Sequence, residues 1–249
     1  MDISLHQKNQ GFFWEGPKSP LTRISQKQRD QYDSLGYFLL ENVFSSEELE
    51  PLIAAIDPFE EASEQMLREK FGGSFFIAKA DAITFTTHIV TKSEIAKNFS
   101  QHQVFQDICH DIIGEAARLY WDQAVYKKPG NPEEFPWHQD NGYTFTEPQQ
   151  YLTCWVPLND ATAENGCPWI VPGLHKRVTL AHEHKPLGLT CLENPEDSIC
   201  VEAKAGDVVV FSSLTPHRTG PNQTKSTIRH EGVTLDVALS GVLVFFLGG

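Results

Sequence analysis

Apolar and polar positions follow two textures along this chain, and the change falls near Trp121. Before it, apolar residues recur at helical spacing. After it, short apolar or β-branched runs are separated by Gly, Pro and Asn. Residues 1–24 show no period and read as an irregular arm on the surface. Ser25-Gln26-Lys27-Gln28 is a capping-box pattern that opens a short helix closed by Gly36. Tyr37 to Leu40 reads as a strand. Ser45-Ser46-Glu47-Glu48 is a second capping box. Its helix carries Leu49, Leu52, Ile53 and Ile56 on one face and is expected to stop at Asp57-Pro58. A separate charged helical segment is expected over 60–68, ended by Gly72-Gly73. Strand pieces follow at Phe75 to Ile77 and Ala82 to Phe85. The spacing of Phe105, Ile108, Ile112, Ala116 and Leu119 predicts a helix over 104–120.

Beyond Trp121, strands are expected at 124–126, 151–156, 169–171, 199–201, 208–211 and 227–237. This spacing suits antiparallel pairing rather than βαβ units. The fold class expected is mainly β with flanking helices: a double-stranded β-helix (jelly-roll, cupin-like) barrel. One domain over 1–249 is expected, with the arm at 1–24, a mostly helical part at 25–120 and the jelly-roll core at 121–249.

Composition narrows the function classes. The chain is 40% hydrophobic and 21% charged, as soluble globular proteins are, with a formal charge of −13. That charge argues against a nucleic-acid surface and against a polybasic membrane contact. The apolar run from Val237 to Gly249 is short of the ~20 residues that span a bilayer, and a buried strand or strand pair is expected there. Five scattered cysteines with no C-x-x-C pair disfavour a disulfide framework or a zinc-thiolate site and suit a reducing, cytoplasmic setting. The N-terminus shows no basic stretch followed by an apolar core, so no signal peptide is expected.

The candidate chemistry lies in Trp137-His138-Gln139-Asp140 and in Pro216-His217-Arg218-Thr219-Gly220-Pro221-Asn222. On a strand, His138 and Asp140 share a face and Gln139 points the other way. Two imidazoles and a carboxylate make a facial triad. Such a triad fills one face of an octahedral iron(II) and leaves three positions open. His138, Asp140 and His217 are therefore the candidate metal ligands. The bland alternative is a surface strand pair and a loop histidine. His175 is expected to bond a backbone carbonyl. His182 and His184, in a charged stretch, are expected to be solvated. Arg218 is expected at the surface or just behind the ligands.

The surrounding motifs occur in a recognisable order. Lys127-Lys128-Pro129-Gly130 precedes the metal motif. Asn165-Gly166-Cys167-Pro168-Trp169, Pro172-Gly173-Leu174-His175-Lys176 and Gly206-Asp207-Val208-Val209-Val210-Phe211 follow it. From about Ile24 to Asn222 the chain resembles the phytanoyl-CoA dioxygenase family of iron(II)/2-oxoglutarate-dependent oxygenases. The resemblance implies Fe(II) as cofactor, 2-oxoglutarate and O₂ as cosubstrates, and a small-molecule substrate. It matches His138, Asp140 and His217 to the iron ligands and Lys127 to a position that can reach the cosubstrate. Thr153 and Trp155 match cavity-lining positions, and Thr219 a hydroxyl near the distal carboxylate of 2-oxoglutarate. An arginine eleven residues beyond the distal histidine usually binds that carboxylate. Here that position is Ile228, and Arg229 follows one later. Either a loop or bulge absorbs the extra residue, or Arg229 points away. Three readings follow: a hydroxylase, a metal-binding pseudoenzyme or sensor of the same fold, and a jelly-roll binding module without a metal.

Overall fold

The computed structural model describes residues 3–9, 11–114 and 117–225. Beyond them it describes the backbone of strands 227–230, 233–236 and 239–248, with the side chain of Phe246. The arm over 3–24 is irregular and lies on the surface, touching the body where Leu5 bridges Leu180. Helix α1 (Gln26–Leu35) opens with the Ser25/Gln28 capping box and closes at Gly36, whose φ of 88° is left-handed. Strand β1 (Tyr37–Leu40) follows, then α2 (Ser46–Phe71), opened by the Ser45/Glu48 box.

Helix α2 runs through Pro51 and Pro58 as one piece, where the sequence pattern predicts a stop at Pro58. A proline removes one helical hydrogen bond, and packing on both sides of it offsets the loss. Leu49, Leu52, Ile56, Glu60 and Leu67 form one buried stripe that carries past the proline. Beyond the proline, the Glu60 carboxylate accepts from Thr84 at 3.0 Å and pairs with Lys128 at 2.9 Å. A hairpin of β2 (Ser74–Phe75) and β3 (Ala78–Lys79) puts Phe76 and Ile77 in its turn, where the pattern predicts a strand. Then come β4 (Ile83–Thr87), α3 (Glu94–Ser100) and α4 (Gln103–Ile113).

The helix expected over 104–120 ends at Ile113. Gly114, with φ 100°, breaks it, and β5 (Ala117–Lys127) is already under way at Leu119. Pairing along the whole of β5 overrides the helical spacing of those last positions. The remaining elements are β6 (Phe135–His138), the one-turn α5 (Asp140–Tyr143), β7 (Leu152–Pro157), β8 (Pro168–Ile170), β9 (Glu183–Lys185) and β10 (Gly188–Thr190). They continue with β11 (Ile199–Cys200), β12 (Val208–Ser212), β13 (His217–Thr219), β14 (Thr227–His230), β15 (Val233–Asp236) and β16 (Leu239–Gly248). The single run expected over 227–237 is thus two strands paired with each other. The apolar run after it is a strand, as expected.

The main sheet has the order β1-β12-β7-β16-β5-β4-β3-β2, and the minor sheet β11-β8-β13-β6. All pairings in both are antiparallel. This is the two-sheet architecture of a jelly roll. Strand β7 is buried along its whole length. Leu152, Cys154 and Val156 point out to the helices, with Val208, Val210 and the α4 residues Phe105, Ile108 and Ile112. Trp155 points in, with Val209 and Phe211, towards Cys167 and Ile170 of the minor-sheet side. The site lies between the sheets. Among the described residues no helix is long and apolar enough to cross a membrane.

One carboxylate ties the arm to α4. Asp111, fully buried, accepts from the backbone N–H groups of Thr22, Arg23 and Ile24 and from the Thr22 hydroxyl, all at 2.8–3.0 Å. Burial works against its charge. The His110 ring, these amides and the hydroxyl outweigh it and hold the carboxyl down at about 2, below the ordinary 3.8. Asp111→Ala leaves three amides unpaired and is expected to cost ~3 kcal/mol in urea unfolding. Because the folded pKa is depressed, that difference is full above pH 3.8 and shrinks as pH falls towards 2.

Candidate metal centre

Strands β6 and β13 are antiparallel neighbours, and His138 stands directly opposite His217. The two rings lie 4.2 Å apart, centroid to centroid. Each ring is oriented the same way. The Nδ1–H of His138 donates to the Pro136 carbonyl at 2.8 Å, and that of His217 to the Thr215 carbonyl at 3.0 Å. Both bonds reach back two residues, which assigns the proton to Nδ1 and leaves the Nε2 lone pairs free. These lone pairs converge on Asp140, whose Oδ1 is 3.8 Å from Nε2 of His138 and 3.7 Å from Nε2 of His217. One ligand atom from each residue lies within 4.8 Å of the other two.

Asp140 arrives by a different route from the one the strand pattern implies. Strand β6 ends at His138, and Asp140 is the first residue of α5. Gln139 between them keeps an extended backbone, φ −110° and ψ 143°, so alternation still holds across it. Its side chain points away from the ligands, as expected, and is fully buried. The amide NH₂ donates to the carbonyls of Leu214 (2.6 Å) and Val178 (2.9 Å), and its oxygen accepts from the Leu180 amide (2.6 Å). Leu214 lies three residues before His217, so Gln139 clamps the two halves of the centre together.

The other oxygen of Asp140, Oδ2, accepts the Thr153 hydroxyl at 2.5 Å, which turns Oδ1 to the histidines. Burial pushes the Asp140 carboxyl up, against the pull of His217 and Thr153. Burial also pushes His138 well down, helped by His217. A buried carboxylate with two imidazole Nε2 atoms aimed at it suits a divalent cation, which supplies the missing positive charge. The donor set, one oxygen and two nitrogens, fits iron(II).

His182 corrects an expectation. It is not solvated: Nε2 accepts the Gln139 backbone N–H at 3.0 Å, and Nδ1–H donates to Leu180 at 2.9 Å. Burial pushes its pKa down to about 4, so it stays a neutral acceptor. Its ring fills the space beside Gly142, where a Cβ would meet it at 2.1 Å. No spacing pattern marks this residue, because its partner is a backbone amide. His175 behaves as expected, with Nε2 at 3.1 Å from the Asp33 carbonyl. Arg218 pairs with Glu134 and lies 5.4 Å from the ring centroids of both Trp137 and Trp169.

A solvent-connected cavity of about 70 Å³ opens in front of the ligands. Trp155 and Thr219 line it, together with Pro168 and Phe211. Thr153 does not, since its hydroxyl is spent on Asp140. Buried Lys127 donates to the carbonyls of Thr219 and Gly220, holding the strand that carries His217. The Arg229 side chain lies outside the described residues; its backbone pairs with Thr234. The opposite wall is Ile83 and Phe85 of β4, Gln123 and Val125 of β5, and Phe135. Strands over 82–85 and 124–126 are legible in the sequence; that they face the ligands is decided by the pairing of β4 with β5 and of β5 with β16, which no local pattern marks.

The phytanoyl-CoA dioxygenase family model matches residues 32–230. The chain belongs to this family. Relatives include a phytanoyl-CoA dioxygenase of Arabidopsis thaliana, 26% identical over 54% of this chain and 49% of the relative. A methylphosphonate hydroxylase of Gimesia maris is 33% identical over 55% of this chain and 52% of the relative. The chain thus spans about half the length of these two curated relatives. Among solved structures, EvdO2 from Micromonospora carbonacea var. aurantiaca superposes with a TM-score of 0.68 at 22% identity, over 93% of this chain and 94% of that one. EctD from S. alaskensis with bound Fe gives 0.68 at 18% identity, over 99% and 84%. These likenesses show the shared fold.

Two outcomes are expected. Replacing Gln139 by Leu unpairs the Leu180 amide and two carbonyls, and should weaken iron(II) binding about 10–100-fold in a competition titration. Burial pushes the Lys127 ammonium down to about 7, from an ordinary 10.5. The unfolded chain then binds more protons between those values, so this contribution to stability rises with pH across that window. Lys127→Met should flatten the rise in urea midpoint between pH 7 and 9.

Proposed function

We propose that the protein is an iron(II)/2-oxoglutarate-dependent dioxygenase that hydroxylates an unactivated C–H of a small molecule. Residues 1–249 act in this reading as one oxygenase domain. The overall change is R–H, 2-oxoglutarate and O₂ to R–OH, succinate and CO₂. The observation that carries the reading is the convergence of two oriented Nε2 atoms on one buried carboxylate oxygen. Iron(II) held there would supply the O₂-dependent oxidative decarboxylation of 2-oxoglutarate and the C–H oxidation.

The chain's own residues do the rest. His138, Asp140 and His217 hold the metal on one face. Asp140 also occupies the position a halide would need, which favours hydroxylation over halogenation. Thr153 fixes the Asp140 rotamer, and Gln139 and His182 fix the turn between the ligands. Trp155 walls the cavity. The Thr219 hydroxyl and Arg229 are assigned to the distal carboxylate of 2-oxoglutarate, with Lys127 bracing the Thr219 strand. A second reading is a metal-binding protein of the same fold with impaired 2-oxoglutarate binding. It is favoured by Ile228 standing where relatives place the arginine.

Purified protein given iron(II), ascorbate and 2-oxoglutarate is expected to retain iron and release succinate. His138→Ala and His217→Ala should lose both. Retained iron with no succinate, across candidate substrates, sinks the oxygenase reading and leaves the second one. Unchanged metal content in both variants sinks the metal centre itself.

A further inference from the structure

The polarity of β4 and β5 is distributed in an unusual way. Alternate residues of the two strands face opposite sides. Their polar side chains go under α2: Thr84 donates to Glu60, Tyr126 to Asp57 at 2.6 Å, and Thr86 meets Ser63 at 3.0 Å. Their apolar side chains, Ile83, Phe85 and Val125, face the cavity, with the Gln123 amide as the polar group on that wall.

Cations near the cavity are already matched. Lys127 is spent on two backbone carbonyls, Lys128 on Glu60, Lys79 on Glu133 and Arg218 on Glu134. None of these four lines the cavity. Among the described residues, an anionic group approaching the β4–β5 wall meets no unmatched cation, and the formal charge of −13 adds repulsion.

The apolar surface continues outward from the cavity. Tyr143 stacks on Phe135 with centroids 6.1 Å apart, and Phe76 meets Tyr143 edge-on at 6.1 Å. Ile77 packs in the same cluster. Phe76 sits at φ 51°, a region that a bulky side chain rarely occupies, and is 53% exposed. Phe75 faces the other way: the register that pairs Ile83 with Lys79 and Lys79 with Ser74 puts it on the α2 side of the sheet, its ring 4.5 Å from that of Phe71. A strained, exposed aromatic side chain beside a cavity is what a ligand clamp looks like.

We propose that the substrate is a neutral, predominantly apolar small molecule. Its reacting end enters between Val125, Phe85 and the metal ligands, and its remainder lies on the rim of Ile77, Phe76 and Tyr143. The Gln123 amide, whose oxygen accepts the Trp121 indole N–H at 3.1 Å, offers its NH₂ to the one hydrogen-bond acceptor such a molecule carries near its reacting carbon. This inference rests on the oxygenase reading for the word substrate, and on the cavity and rim for the chemistry.

The test is binding, without turnover. Full-length protein loaded with iron(II) and 2-oxoglutarate under anaerobic conditions is titrated with N-phenyl-1-naphthylamine, a neutral probe that brightens in apolar sites. Saturable binding is expected, displaced by decanol and not by methylphosphonate or free coenzyme A. Phe76→Ser with Ile77→Ser should weaken it about tenfold. Circular dichroism and thermal unfolding check that the fold is kept. A second variant, Val125→Asp, should weaken it at least as much. The inference is overturned by no saturable binding, by wild-type binding in both variants, or by methylphosphonate or coenzyme A displacing the probe better than decanol. Succinate release is read separately. Decanol-sensitive binding without succinate keeps this inference and sinks the oxygenase reading; succinate with methylphosphonate preferred does the reverse.

Discussion

The pairing of His138 with His217 across two antiparallel strands is the constraint on which the site depends. It brings distant parts of the chain within ring contact, and a one-residue slip in register would turn one imidazole to the other face. The surrounding hydrogen bonds resist that slip. Each imidazole is tethered to a carbonyl two residues back, His138 to Pro136 on β6 and His217 to Thr215 in the turn before β13. Gln139 ties the end of β6 to the turn before β13, and Lys127 ties β5 to the end of β13. Burial makes the arrangement electrically unsatisfied when no cation is bound. The carboxyl of Asp140 is pushed up and the His138 imidazole pushed down. Affinity for a cation and the cost of keeping the site dry are thus two sides of one arrangement.

Much of this was legible in the residues themselves. Both capping boxes are real helix starts, and the ligand triad converges. Those features are local, or are marked by side-chain types with few other uses. What stayed hidden was decided by contacts distant in sequence. The positions over 117–120 keep a helical rhythm, yet pairing with β16 makes them strand. Pro58 looks like a stop until Glu60 is seen anchored to Thr84 and Lys128. His182 looks like a solvated residue of a charged stretch until its ring is found against the Gln139 amide. Thr153 was expected on the cavity wall and instead serves the carboxylate behind it.

The same contacts explain how one fold can serve different reactions. The ligands sit on β6, α5 and β13, braced by the minor sheet and by β7. The opposite cavity wall comes from β4 and β5, and the rim beyond it from the small β2–β3 hairpin. Residues on that wall can vary without touching the bonds that orient His138 and His217. Likeness to solved structures at about a fifth identity with a TM-score of 0.68 is what such a division of labour leaves behind.

Strand β16 gives the fold an order in time. It lies near the middle of the main sheet, between β7 and β5, and is the last strand in the sequence. On a ribosome, β5 and β7 emerge long before the strand that joins them. Until it arrives, both present unpaired edges, and the wall formed by β4 and β5 is separate from the β7 wall that carries Thr153 and Trp155. The cavity therefore closes only after translation has passed this strand. A chain cut short before Leu239 would keep all three metal ligands and leave the main sheet in two halves, β1-β12-β7 and β5-β4-β3-β2, with nothing to join the two walls of their cavity.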